Sequence, residues 1–230
     1  MKTSNFRIFV FYIAIAIWTI SIGLIMLPFA LLSRNLAIKI CYVWSKISLI
    51  IIKIILKITY DIKGTDNIPN QNCIIASNHQ SAFETIFFLA YFKDPIFILK
   101  KELFYLPIIG IYCFQAGMIF IDRKKPIASI KKLKTKLSDK NPRKIIIFPE
   151  GTRVKYNTKA KFKTGIHLIA NSLKLNIIPT AHNAGKYWPK GFQNKKQGHV
   201  TTRFLSKLSY KNDKNNLIKT LENNIYSSIK

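Results

Sequence analysis

Cys73-Ile74-Ile75-Ala76-Ser77 runs without a break into Asn78-His79-Gln80-Ser81-Ala82-Phe83-Glu84, so an apolar stretch of strand length is followed at once by an imidazole and a carboxylate five positions apart. A short, unbroken apolar run predicts a buried strand. Polar groups just past its end stand where open α/β sheets collect their chemistry. A second unit of the same kind lies downstream, with Lys144-Ile145-Ile146-Ile147 leading into Phe148-Pro149-Glu150-Gly151-Thr152-Arg153.

Outward from these runs, strands alternate with helical patterns. Phe83 to Phe92 reads as a helix, Pro95 to Leu99 as a strand, and Ile111 to Ile121 as a longer apolar run broken at Gly117. Ile127, Ile130, Leu133 and Leu137 recur at helical spacing, as do Phe162, Ile166, Ile169, Ala170 and Leu173, and a short strand is expected around Ile177-Ile178. That alternation predicts an α/β fold, a mostly parallel sheet flanked by helices. Leu217, Leu221, Ile225 and Ile229, four apart, suit a closing helix that packs on the sheet or touches lipid. Gly64 to Asn70 has turn composition, which divides the chain into residues 1–60 and a single 61–230 domain.

The first 60 residues read as a membrane-binding hairpin of two helices. Ile8 to Leu32 carries no charge, and at about 1.5 Å per residue such a helix matches a hydrocarbon core of about 30 Å. Lys39, Lys46 and Lys53 then recur at intervals of seven, with Lys57 four further on. An interfacial helix would put these lysines on one side and leave Ile40, Val43, Trp44, Ile47, Ile50, Ile51 and Ile54 for lipid. A spanning helix with snorkelling lysines, or a core helix with a solvated basic stripe, fits the same pattern. Arg34 and the lysines beyond it outnumber Lys2 and Arg7, which predicts that the bulk of the chain faces the cytoplasm.

Lys and Arg total 37 against 10 Asp and Glu, a formal charge of +27. That balance favours polyanions such as phospholipid headgroups or nucleic acid, unless it is the background of a chain crowded with Lys, Ile and Asn. No recognition-helix motif and no basic–aromatic alternation of the RNA-binding kind appears, so no specific nucleic acid is expected. Cys41, Cys73 and Cys113 lack metal-ligand spacing, and no metal is expected.

His79 is the candidate general base, since an imidazole accepts a proton near neutral pH. Glu84 could take the other ring N–H and fix the tautomer. The same residues match a capping box in which Glu84 returns to the Ser81 backbone N–H. Arg153 could meet a phosphate as a two-pronged fork beside Gly151, which allows close backbone approach; a surface arginine closing a loop fits equally. No Gly-x-Ser-x-Gly elbow appears, so direct transfer to a substrate hydroxyl suits the pair better than a covalent intermediate.

These residues resemble the blocks of the glycerolipid acyltransferases, specifically the bacterial 1-acyl-glycerol-3-phosphate acyltransferases. Asn78, His79, Ser81 and Glu84 match the first block, although the family's commoner acid is aspartate. Lys101-Glu102-Leu103, Pro107 and Gly110, continuing through Gly117 to Arg123, match the second; Phe148 to Arg153 match the third; Ile178-Pro179-Thr180 match the fourth.

The resemblance implies transfer of a fatty acyl group from acyl-CoA or acyl-carrier protein to the 2-hydroxyl of lysophosphatidate, giving phosphatidate. His79 and Glu84 would be catalytic, and Arg153, Arg123, Gly151 and Thr152 would bind the phosphate. Asn78, Ser81, Lys101, Glu102, Pro149, Glu150 and Pro179 would shape the site. It implies no cofactor, and a place at the bacterial inner membrane against anionic lipid. A glycerol-3-phosphate or other lysolipid acyltransferase would use the same blocks.

Overall fold

The computed structural model describes residues 2–121, 126–137, 141–211 and 213–229. Its strands are β1 (Ile58–Lys63), β2 (Cys73–Ser77), β3 (Ile96–Lys100), β4 (Ile119–Ile121), β5 (Lys144–Ile147), β6 (Ile177–His182) and β7 (Gly198–Phe204). They form one sheet in the order β1-β7-β6-β2-β5-β3-β4. All neighbours run parallel except β6 and β7. The expected mostly parallel α/β architecture is therefore the observed one.

Alternation inside the central strands builds the two layers. Cys73 and Ile75 of β2 face one core with Phe97, Ile146 and Ile178, while Ile74 and Ala76 face the other with Ile96, Ile145 and Ile177. Successive strand side chains point to opposite faces, so an unbroken apolar run serves both. The first face is covered by α1 (Asn5–Ile25), α3 (Arg34–Ile51) and α4 (Phe83–Phe92). The second is covered by α6 (Pro126–Thr135), α7 (Gly165–Leu173) and α9 (Lys214–Ser228), whose Leu217, Leu221 and Ile225 are fully buried, so the C-terminal helix packs on the sheet. The remaining helices are α2 (Leu27–Leu32), α5 (Ile109–Gln115) and α8 (Ala184–Tyr187). The apolar run read from Ile111 to Ile121 divides into α5 and β4, joined through Gly117 at φ +81°.

The N-terminal region departs from the expected hairpin in three ways. The charge-free arm breaks at Met26, and Pro28 falls in the first turn of α2, where its missing N–H costs nothing. The second arm ends sooner than its apolar content suggests. After Ile51 it widens over Ile52–Leu56 and turns at Lys57 (φ 52°) into β1, which pairs with β7 from Ile58↔Gly198 to Lys63↔Arg203. A boundary at residue 60 thus falls inside a strand.

Third, the lysine stripe of α3 and the widened turn after it shares its exposed side with Val43, Ile50 and Ile54, whereas Trp44 and Ile51 pack on the core. The inward residues are Leu49, which packs in the core, and Ala37, Ser45 and Ser48, small enough for α3 to lie close to its neighbours. Exposed apolar and basic residues are therefore interleaved, not opposed.

The hairpin is welded to the sheet. Phe11, Ile52 and Leu56 are fully buried, each contributing about 1.5–3 kcal/mol. Arg7 donates to the Ile55 carbonyl, and Arg34 grips Asp94 through both carboxylate oxygens at 2.9 and 2.8 Å. On its free side α1 exposes Phe6, Phe9, Ile13, Ile17, Ile20 and Leu24, a stripe at helical spacing. By length and composition α1 could cross a membrane.

Candidate active site

Three adjacent parallel strands, β6, β2 and β5, end side by side, with Ser77 opposite Thr180 and Ala76 opposite Ile147. The loops leaving them therefore meet. His79 follows β2, Phe148 to Arg153 follow β5, and Asn183 follows β6.

His79 Nδ1 lies 2.9 Å from Glu84 Oε1, and the ring stacks on Phe148 at 4.1 Å between centroids and 15° between planes. The same Glu84 oxygen accepts the backbone N–H groups of Gln80 (2.9 Å) and Ser81 (2.8 Å). The capping contact and the imidazole contact thus coexist on one atom. Ser81 completes the turn by accepting the Phe83 N–H at 3.1 Å.

Burial alone would raise the Glu84 carboxyl, but the polarity of the His182 ring, the bond from His79 and the Ser81 amide outweigh it and hold Glu84 below the usual carboxylate range. An ionised Glu84 accepts a hydrogen bond from the Nδ1–H of His79, which leaves the unprotonated Nε2 as the ring's proton acceptor.

Glu150 lies behind this pair. Its Oε1 accepts the His79 backbone N–H at 3.2 Å and the Tyr226 hydroxyl at 3.4 Å. Burial, reinforced by the charge of Glu84, pushes its carboxyl up to about 7 despite the amide hydrogen bonds. Val154 N–H donates to the His79 carbonyl at 2.8 Å, so the third block holds the first by its backbone. Gly151 turns at φ +69°, and a β-carbon there would sit 2.9 Å from Lys163 Nζ.

His79, Gly151, Thr152 and Arg153 line one cavity of about 420 Å³ whose apolar wall includes Phe97, Leu99, Leu103 and Phe148. A lining that combines cationic and polar groups with apolar side chains suits an amphiphile. Lys100 and Lys190 add further positive charge to the lining. Lys101 and Glu102 sit in the turn after β3, exposed and outside this lining, with Lys100 and Leu103 in their place. Pro149 is buried and accepts the Lys163 N–H at 2.9 Å. Pro179 lies inside β6 opposite Ala76, a step back from the chemistry. Arg123 falls outside the described residues.

His182 escapes sequence reading. It is fully enclosed at the end of β6 and clamps Asn78 three ways: Asn78 Nδ2 donates to its carbonyl (2.9 Å), its N–H donates to Asn78 Oδ1 (3.0 Å), and its ring Nε2 donates to the Asn78 carbonyl (2.7 Å). The Ala184 N–H meets Nδ1 at 3.2 Å, which puts the ring proton on Nε2. Burial keeps this histidine below the ordinary imidazole range, against the pull of Glu84. Its Nε2 stands 3.9 Å from Glu84 Oε2. The available signal was a histidine just past an apolar run, the same pattern that singled out His79.

His182→Phe should strip the buried Asn78 carbonyl of its 2.7 Å ring donor and leave it only the Ser77 hydroxyl at 3.3 Å, a cost of about 1 kcal/mol or more. We expect a lower melting temperature and a lower kcat, with substrate KM values unchanged because His182 acts through Asn78 and Glu84. A raised KM at unchanged kcat would refute that positioning role.

The acyltransferase family model matches residues 59–183, more than half of the chain. A Pseudomonas aeruginosa protein named 1-acyl-sn-glycerol-3-phosphate acyltransferase is 36% identical over 160 residues, covering 68% of this chain and 62% of its own length. A Helicobacter pylori protein of the same name is 43% identical over 111 residues, 46% of each chain. The match thus spans less than two thirds of either relative. Among solved structures, the 1-acyl-sn-glycerophosphate (LPA) acyltransferase of Thermotoga maritima shares the fold with a TM-score of 0.78 at 23% identity, over 96% of this chain and 92% of that one.

Proposed function

Because the chain belongs to the acyltransferase family, we propose that it moves a fatty acyl group from a thioester of coenzyme A or acyl-carrier protein to the 2-hydroxyl of lysophosphatidate, forming phosphatidate. The observation that carries this reading is the 2.9 Å His79–Glu84 contact facing the same cavity as Gly151, Thr152 and Arg153. Nε2 of His79 takes the hydroxyl proton as the oxygen attacks the thioester carbonyl. The tetrahedral intermediate collapses by expelling the thiolate, which recovers the proton from the imidazolium. Glu84 stabilises the imidazolium in between, through a bond to a buried carboxylate that is stronger than its counterpart in water. The thioester is already activated, so the step calls on no metal or cofactor.

The names of the bacterial relatives support lysophosphatidate as acceptor. The test is a panel: purified full-length protein in detergent, offered lysophosphatidate, glycerol 3-phosphate and neutral lysolipids beside acyl-CoA or acyl-carrier protein. Phosphatidate should dominate. Preferred acylation of glycerol 3-phosphate would replace the acceptor assignment.

In this reading Arg153 meets the phosphate. Arg153→Lys keeps the charge but loses the planar fork, and with one charge-assisted bond at stake KM for lysophosphatidate should rise about five- to tenfold. KM for the thioester should stay put. Equal changes in both would show that Arg153 organises the loop instead.

Residues 1–57 form the membrane anchor in this reading, with the exposed stripe of α1 and the apolar end of α2 in the leaflet and the catalytic domain on the cytoplasmic side. One face of α1 is already committed to the protein core, which favours insertion alongside the domain over a free-standing span. Bacterial inner membrane fractions should retain the protein at about 1 M salt, since screening leaves apolar burial intact. Complete release by salt would contradict the anchor.

A further inference from the structure

The loop after α8 is built around a buried cation. Lys195 is completely enclosed, its ammonium donating to the carbonyls of Gly191 at 2.5 Å and of Pro189 and Gln193 at 3.4 Å. It also lies 5.6 Å from the Tyr12 ring centre and 5.9 Å from that of Trp188. A lysine stripped of water is costly and stays only where its donors are met. Here burial pulls its pKa down to about 8, and the catalytic steps above make no use of it. Gly191, at φ +99°, adopts the turn that brings its carbonyl to the ammonium.

The same loop is held from the other side by α1 and the chain before it. Phe11 meets Trp188 edge-on at 5.1 Å, Tyr12 packs on Phe192 at 4.6 Å, and the Tyr12 hydroxyl donates to the Gly191 carbonyl at 3.3 Å. Thr3 N–H donates to the Lys195 carbonyl at 2.9 Å. Between the gripped residues Pro189 and Gly191 stands Lys190, which is exposed and lines the cavity of His79, Thr152 and Arg153. A loop tied at its backbone on both sides of one residue is a platform for that residue.

We propose that Lys190 binds a substrate phosphate together with Arg153, and that α1 and the buried Lys195 hold it in place to do so. This rests on the acyl-transfer reading and deepens it. A phosphate monoester carries up to two charges; the Arg153 fork supplies directional bonds, and a lysine supplies a compact second charge. The phosphate belongs either to lysophosphatidate, a monoester, or to the phosphopantetheine arm of the thioester, whose phosphoryl group is bridged on two oxygens and carries one charge. The helix proposed to sit in lipid is thereby joined to the group that recognises a lipid phosphate.

The experiment compares the full-length protein with Lys190→Gln and Lys190→Arg, variants at an exposed side chain that should fold normally. Two quantities are measured in detergent micelles: binding of lysophosphatidate against phosphate-free monoacylglycerol, and the KM of each substrate. Lys190→Gln should raise one KM about tenfold with kcat within about twofold, and Lys190→Arg should recover most of it. A rise for lysophosphatidate with weaker binding of it, but not of monoacylglycerol, assigns the acceptor's phosphate; a rise for the thioester alone assigns the donor's. Unchanged binding and unchanged KM values in Lys190→Gln overturn the proposal, as does a loss of kcat alone. If the wild-type protein transfers no acyl group yet binds lysophosphatidate in a Lys190-dependent way, the acyl-transfer reading falls and the lysine's role stands.

Discussion

His79→Ala should reduce acyl transfer by about 10²–10⁴-fold, the usual worth of a positioned general base, and leave the protein folded. The imidazole is partly exposed and stacks on Phe148. Its removal leaves Glu84 Oε1 still accepting the Gln80 and Ser81 amides, so the turn that starts α4 survives. Turnover with lysophosphatidate and an acyl thioester, read beside the melting temperature, decides the matter. Activity within about twofold of wild type would exclude His79 as the base, and a collapse of the melting temperature would make it a structural residue.

Glu84→Gln should follow with a loss of at least about tenfold in kcat. The amide oxygen can still accept from His79 and the two backbone N–H groups, so a helix-opening role alone would tolerate the change. Two things are lost together. The negative charge opposite the imidazolium disappears, and the new NH2 group lands where Glu84 Oε2 stood, buried and facing the His182 Nε2 at 3.9 Å. A donor placed against a donor in a dry site also destabilises, by about 1–3 kcal/mol. Near wild-type turnover in Glu84→Gln would reduce Glu84 to its capping contacts. Glu84→Asp, which shortens the arm by one methylene but keeps the charge, should retain most of the activity lost in Gln.

Both residues were visible in the sequence because the contact between them is local. Five positions separate them, and one turn at the start of α4 brings them together. The two-layered core was visible for a similar reason: the runs of β2 and β5 are short, apolar and uninterrupted, and a strand buried on both faces needs nothing else. β1 was missed although Ile58, Tyr60 and Ile62 alternate with Thr59, Asp61 and Lys63, because the preceding apolar helix pattern ran straight into it. β7 carries a similar alternation, with Val200, Thr202 and Phe204 buried, and its pairing with β1 joins segments about 140 residues apart, as the Thr59–His199 contact shows.

The sequence by itself determined the strand–helix alternation, the apolar N-terminal region and the pairing of an imidazole with a carboxylate, since each follows from spacings within one element or one turn. Tertiary structure alone decided which side of α3 faces outward, that His182 clamps Asn78 from 104 residues away, that Tyr226 reaches Glu150 across 76, and that α1 and Lys195 hold the loop carrying Lys190. Those contacts depend on the register with which β6 lies beside β2 and on how helices settle over the sheet. Register is set by the packing of the whole core, and no local period in the chain encodes it.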